Sequence, residues 1–212
     1  MTEIKIPVLP LFSSPVGIYE LNILNQEKIE ETIKSLEYKQ VHKFNDHSLI
    51  TTDLNVLDNV EEFKNLKDKI KESINHFSEK IVGNKPNKFE LISSWATQSK
   101  LGQRSQRHRH ANSLYSAVYY NTADKDTSPI RFYKTNYQTG FALNVDNYTS
   151  FNSDHWDIKP LSKYLVVFPS YLFHSIQQNN SKNTRYSIAC NFHPTGTYGQ
   201  VDSQVVGVSI KT

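Results

Sequence analysis

Between residues 60 and 81 the apolar positions Val60, Phe63, Leu66, Ile70, Ile74, Phe77 and Ile81 recur at steps of three and four, with Lys and Glu between them. That is the period of a helix with one buried face, and Gly83 is placed to end it. A shorter stripe of Ile29, Ile33 and Leu36 predicts a helix over 25–38, with Asn25 as N-cap and Glu27 and Glu30 in the first turns, where the helix dipole favours acids. Both stripes are assigned to packing, as is His76 beside Phe77. Upstream, residues 4–24 hold apolar and β-branched residues broken by Pro7, Pro10 and Pro15, which fits a short edge strand or two and a turn.

From Lys88 onward the helical period gives way to short β-rich runs at 88–99, 113–121, 130–134, 140–145, 163–168, 171–178, 184–193 and 203–210. Asn, Asp, Gly, Ser and Pro lie between most of them, the habit of a sandwich or barrel. Helices first and strands later predict an α+β, mainly β chain: a double-stranded β-helix, or jelly roll, buttressed by N-terminal helices. No internal repeat, low-complexity tract or interdomain linker is found, and 1–212 reads as a single domain, with 1–87 as support and 88–212 as the jelly-roll core. The long irregular stretch 121–162 points to the substrate side.

Composition narrows the classes. The net charge of +3 is small and its basic residues are spread along the chain, so there is no case for nucleic acid. Cys190 is the single cysteine, which excludes an internal disulfide framework and fits a reducing compartment. The N-terminus lacks a basic-then-apolar leader, and no apolar run approaches the roughly 20 residues of a membrane span. The expectation is a cytoplasmic protein with no membrane partner and an undefined oligomeric state.

Candidate chemistry centres on the stretch 102–110, Gly-Gln-Arg-Ser-Gln-Arg-His-Arg-His. In an extended strand, side chains two apart share a face, so His108 and His110 present neighbouring imidazoles. Taken alone, the pair reads as two solvent-facing histidines in a basic loop. His174 follows the apolar run Val166-Val-Phe-Pro-Ser-Tyr-Leu-Phe; by itself it reads as a core histidine. Eleven residues later, Tyr186, Ile188, Cys190 and Phe192 make an apolar strand face, and Arg185, Ser187, Ala189 and Asn191 make the other. By itself that is an ordinary surface strand. A jelly roll changes these readings, because consecutive strands lie in opposite sheets whose inner faces are about 10 Å apart. His174 and Arg185 then both point inward, and the helices cover the apolar face of 186–192. A polar interior with three histidines and an arginine is explained as a metal site with an anion clamp. Imidazole suits iron, zinc, copper or nickel. Three imidazoles leave open positions suited to a 2-oxo acid, whose far carboxylate needs a bidentate cation, and Ser187 adds a hydroxyl.

The same residues carry a resemblance. A His-x-acid pair, a distal His, an Arg about ten residues beyond it and a Ser two after the Arg are the layout of the Fe(II)/2-oxoglutarate dioxygenases. More closely, Trp95, Gly102, His108-Arg-His110-Ala-Asn-Ser-Leu-Tyr-Ser-Ala-Val-Tyr-Tyr120, Phe168-Pro-Ser-Tyr-Leu-Phe-His174 and Arg185-Tyr-Ser187 resemble the bacterial and phage group of these oxygenases. The opening Leu9-Pro-Leu-Phe12 with Pro15 is similar to that group's N-terminal segment. The likeness spans about 90–193 and reaches the helical half only loosely. It implies His108, His110 and His174 as catalytic iron ligands and Arg185 with Ser187 as the 2-oxoglutarate clamp. It also implies Fe(II), 2-oxoglutarate and O2 as cofactors, with hydroxylation of an unidentified substrate and release of succinate and CO2. The wider superfamily has Asp or Glu where His110 stands; if His110 does not ligate, either an acid from 121–162, such as Asp154 or Asp157, completes the site or the site is degenerate. Arg104, Arg107 and Arg109 are candidates for an anion-favouring mouth, and Tyr133, Tyr137, Phe141, Tyr148, Phe151 and Trp156 for a lid; a solvated rim and ordinary packing are the plainer explanations. Two rivals stand beside this. A cupin-type metalloenzyme shares Gly102-x5-His108-x-His110 but lacks the expected Glu, since 113–116 reads Ser-Leu-Tyr-Ser. A non-catalytic jelly-roll binding module needs no metal chemistry at all.

Overall fold

The computed structural model describes residues 10–41, 43–85, 88–135 and 144–210. In chain order they form β1 (Gly17–Glu20), α1 (Gln26–Ser35), β2 (Tyr38–Lys39), β3 (Leu49–Thr51), α2 (Val56–Asn59), α3 (Lys64–His76), β4 (Lys88–Ser99), β5 (Ser105–His108), β6 (Tyr115–Tyr120), β7 (Ile130–Tyr133), β8 (His155–Ile158), β9 (Tyr164–Pro169), β10 (His174–Ile176), β11 (Arg185–Tyr198) and β12 (Val205–Val208). The major sheet runs β1-β9-β6-β11-β4-β3-β2, with β12 paired to the far end of β11, and the minor sheet runs β5-β10-β7-β8. From β4 to β7 and again from β9 to β11 the chain changes sheet at every strand, as a double-stranded β-helix requires.

Alternation along the strands divides the interior in two. Tyr115, Ala117 and Tyr119 of β6, Leu165 and Val167 of β9, and Ile188, Cys190 and Phe192 of β11 face the helices, where Ile29, Ile33, Phe63, Leu66, Ile70, Ile74 and Phe77 cover them. The opposite faces meet the minor sheet in a second cluster containing Val118, Tyr120, Ile130, Phe132, Val166, Phe168 and Leu172. The helical stripes therefore cover the major sheet from outside. Among the described residues no helix is long and apolar enough to cross a membrane.

Several boundaries differ from the sequence expectation. Asn25 adopts a left-handed conformation (φ 56°, ψ 44°) and its side chain makes no cap bond; asparagine tolerates that region. The long stripe is divided into α2, a 3-10 turn over Glu61–Phe63, α3 and a π-helical turn over Phe77–Ile81. The wider π turn breaks the three-and-four spacing, so Ile81 lies 53% exposed instead of buried. The run expected at 140–145 falls largely outside the described residues, and Val145 is exposed and outside any strand. β8, mostly exposed at the sheet edge, lies outside the expected strands, although Trp156 and Ile158 alternate with His155 and Asp157 over its four residues.

Ile70 is fully buried at the centre of the helix-facing cluster. Ile70→Ala is expected to lower unfolding free energy by about 2–5 kcal/mol, measured by urea unfolding; a loss below about 1 kcal/mol would mean that the helices do not seal this sheet.

Candidate metal and anion site

Gly102 opens the segment that carries the paired histidines. Its φ of +83° is a backbone region that favours glycine, and its N–H donates to the Asn179 carbonyl at 2.7 Å, while the Asn179 N–H donates to the Gln103 carbonyl at 2.8 Å. Arg104 then pairs with Asp46 at 2.7 Å, and β5 lies along β10 with His108 opposite His174. His110 falls two residues beyond β5 and is held by its own N–H, which donates to the Ser170 carbonyl at 3.1 Å.

The three imidazoles converge. Ring centroids are 5.1 Å apart for His108 and His110, 4.3 Å for His108 and His174, and 5.1 Å for His110 and His174. One ring nitrogen from each lies within 4.8 Å of the others, and among the described residues this is the group of His, Cys, Asp or Glu able to hold a metal ion. Carbonyls accept only, so the contacts of His108 Nδ1 with the Gln106 carbonyl (2.7 Å) and of His174 Nδ1 with the Leu172 carbonyl (3.0 Å) put a proton on each Nδ1. Nε2 is thereby the nitrogen that carries the lone pair in both, the second-sphere arrangement of metal-binding histidines. His110 lies against the Trp95 ring at 5.6 Å.

The electrostatics suit a cation. Burial first, and then the neighbouring His108, push the His110 imidazole down to about 4. Burial, followed by His108 and His110 and opposed by the Leu172 carbonyl, takes His174 down to about 3. Both rings are neutral near pH 7, as a metal ligand must be. The acids considered as substitutes for His110 are placed elsewhere: Asp157 on β8 forms a bidentate pair with Arg131 at 2.7 and 2.8 Å, and Asp154 is exposed and outside the cluster.

Arg185 and Ser187 open into the same cavity as the imidazoles. It has a volume of about 340 Å³, and Trp95, Thr97, Val118 and Ala189 also line it. Arg185 is only 2% exposed; its Nη1 donates to Ser128 Oγ at 3.1 Å, and its Nε has no partner among the described residues. Nor does it form an ion pair with any carboxylate among them. A buried guanidinium without a counter-charge costs several kcal/mol, so the donors fit an incoming carboxylate. Tyr120 is buried beside it with its ring centroid 6.0 Å away and its hydroxyl unpartnered, and burial raises that hydroxyl to about 12 against the opposing pull of Arg185. A larger, more open cleft of about 470 Å³ beside Asp124 and Asn183 shares Arg185 but contains none of the imidazoles.

Sequence reasoning missed three contributors. Asn191 was placed on the inner face without a role, yet its Nδ2 lies 3.3 Å from His110 Nδ1; the period-two continuation Arg185, Ser187, Ala189, Asn191 is the signal. Ser128 and Tyr120 come from other strands and loops, and no spacing reveals them. Asp124 sets Ser128 in place indirectly: it accepts from Ser181 Oγ (2.6 Å), Asn183 Nδ2 (3.0 Å) and Thr127 Oγ1 (3.0 Å), tying the Ser128 loop to the turn before Arg185. At the mouth, Arg107 stacks over Tyr133 (4.3 Å) and Phe173 (4.9 Å), and Arg109 over Phe173 (5.4 Å), while Arg104 is engaged by Asp46. Of the aromatic lid residues, Tyr148, Phe151 and Trp156 are exposed, and Tyr137 and Phe141 lie outside the described residues.

Comparisons with known proteins bear on this geometry. Residues 93–191 match the family described as "Putative 2OG-Fe(II) oxygenase". No curated protein matches the chain. Among solved structures, HygX from Streptomyces hygroscopicus with nickel, 2-oxoglutarate and hygromycin B bound is similar at TM-score 0.61 and 10% identity, covering 86% of this chain and 84% of the other. A prolyl hydroxylase from Trichoplax adhaerens, in complex with a peptide of the hypoxia inducible factor oxygen degradation domain, is similar at TM-score 0.58 and 15% identity, covering 86% and 85%. An oxidoreductase of the 2OG-Fe(II) oxygenase family from Burkholderia pseudomallei gives TM-score 0.60 at 10% identity, covering 84% of each.

The depressed imidazoles dictate a pH response. Unfolded histidines take up protons near 6.5, whereas His110 in the folded chain resists until about 4 and His174 until about 3. Below 6.5 the unfolded state binds more protons, so the metal-free protein loses stability as pH falls toward 4. The melting temperature of chelator-treated protein from pH 7.5 to 4.5 should decline, and decline less steeply in His174→Gln; equal slopes would refute buried neutral imidazoles.

Proposed function

We propose, for a protein whose residues 93–191 belong to the 2OG-Fe(II) oxygenase family, that His108, His110 and His174 hold the iron and that Arg185, assisted by Ser187, clamps the distal carboxylate of 2-oxoglutarate. The family makes the protein an oxygenase dependent on Fe(II), 2-oxoglutarate and O2. Bound iron supplies O2 activation coupled to oxidative decarboxylation of 2-oxoglutarate to succinate and CO2. The chain's own residues supply geometry. His108 and His174 present Nε2 from paired strands, with each ring fixed by a backbone carbonyl. Arg185 directs the co-substrate by a charge-assisted fork, and its burial keeps water from competing for that carboxylate. Val118 of β6 and Ala189 of β11 supply an apolar wall on the major-sheet side of the cavity.

The observation that carries this reading is the buried, carboxylate-free Arg185 in one cavity with three convergent imidazoles. A cupin-type metalloenzyme would share the imidazoles and leave the arginine without purpose; a non-catalytic module would explain neither. The reaction we assign is hydroxylation of a C–H bond in a substrate entering beside the exposed His108, between Gln106 and Arg107. Related folds accommodate hygromycin B and a peptide, so the scaffold is compatible with small and polymeric substrates. We place the protein in the cytoplasm, where the buried free Cys190 stays reduced. We read 1–212 as one domain, because its N-terminal helices and its major sheet share a core.

Anaerobic titration of the Fe(II)-loaded protein with 2-oxoglutarate should produce a visible metal-to-ligand charge-transfer band. In Arg185→Ala the band should need roughly thirtyfold more 2-oxoglutarate, or more, corresponding to loss of about 2 kcal/mol at a buried charged contact, with iron binding retained. Iron bound without a band would overturn the reading in favour of a cupin-type enzyme.

A further inference from the structure

His108 and His174 are set for a metal by backbone carbonyls, but His110 has a side-chain partner instead. Asn191, 7% exposed, accepts from Ser116 Oγ at 2.7 Å through Oδ1. Its Nδ2 donates to Ser93 Oγ at 3.1 Å and faces His110 Nδ1 at 3.3 Å. An amide N–H directed at Nδ1 makes that nitrogen the acceptor, so the His110 proton resides on Nε2. There it is donated to His174 Nε2 at 3.3 Å, a nitrogen that accepts because His174 Nδ1–H is directed to the Leu172 carbonyl. This chain of bonds is self-consistent, and it places a proton on the atom of His110 that must face a metal.

The surroundings of Asn191 permit the opposite arrangement. Its other neighbours are the hydroxyls of Ser93 and Ser116, and Ser116 in turn bonds Ser170 Oγ at 2.8 Å. Hydroxyls donate and accept equally well. If the amide turns by half a revolution, Nδ2 donates to Ser116, Ser93 donates to Oδ1, and Oδ1 accepts from His110 Nδ1–H; the bond between His110 Nε2 and His174 Nε2 is given up, leaving both lone pairs for a metal. Ser93 is available for this because a β-bulge in β4 resets the strand's phase: the register with β11 runs Asn191 to Ser93 and then Phe192 to Leu91. The skipped residue turns Ser93 to the inner side while Leu91 stays in the helix-facing core.

We infer that Asn191 is the positioning residue of the third ligand and that its amide is a two-way tautomer switch: one orientation holds His110 as the Nε2–H form, and the other as the Nδ1–H form that offers Nε2 to iron. The switch moves one proton from Nε2 to Nδ1 and changes no net charge. It rests on the proposed ligand role of His110, and the test separates the two.

Metal-free wild type, labelled with 15N-histidine and with His110 assigned through His110→Gln, is expected to show long-range 1H–15N patterns of the Nδ1–H tautomer for His108 and His174 and of the Nε2–H tautomer for His110. Asn191→Asp, which only accepts at this position, should convert His110 to the Nδ1–H form. Asn191→Leu should weaken Co(II) binding, followed through Trp95 fluorescence, by about 10–100-fold. A His110 already in the Nδ1–H form in wild type, or unchanged Co(II) affinity in Asn191→Leu, would overturn the switch. The wild-type spectrum decides the first of these even if a variant fails to fold. Unchanged Co(II) affinity in His110→Gln would instead overturn the ligand role, and the switch with it.

Discussion

Strand β11 must serve two incompatible environments at once. It is hydrogen-bonded on both edges, to β4 and to β6, so its side chains have only the two faces left. Ile188, Cys190 and Phe192 are driven against the helices by burial of apolar surface, and Arg185, Ser187 and Asn191 are carried to the opposite face by the period of the strand. A slip of one residue would send the guanidinium into the helix-facing core and Ile188 into the cavity. Apolar packing outside the sheet thus fixes the polar chemistry inside it, at no distance greater than one strand's thickness.

Charge balance explains the composition of the cavity. On the proposed reading, three imidazoles would leave a divalent metal with its full charge, and Arg185 adds another positive charge in the same cavity. The usual carboxylate ligand would offset part of this; on the proposed reading the offset would come from a dianionic co-substrate instead.

Legibility in the sequence followed physical periodicity. The stripe from Phe63 to Phe77 and the strand 88–99 were readable because one buried face imposes a repeat, and the pairing of His108 with His110 was readable because two residues in a strand share a side. His174 and Arg185 became readable only through the jelly-roll hypothesis, which supplied the opposing sheet. Hidden from any local pattern were Ser128, brought to Arg185 by a loop tied through Asp124, and the bulge beside Asn191, which needs a pairing partner to exist at all; the exposed edge strand 155–158 has too short an alternation to stand out. Ile81 failed because a π turn changes the period that the stripe assumed.

The buried guanidinium of Arg185 has a consequence for the stability of the folded chain. On the proposed reading, a folded chain that confines this charge would be stabilised by the dianion that completes it; with 2-oxoglutarate at a hundred times its dissociation constant, that linkage would amount to about 2.7 kcal/mol. On that reading the folded chain would gain stability when the co-substrate is added and lose it when the co-substrate is removed.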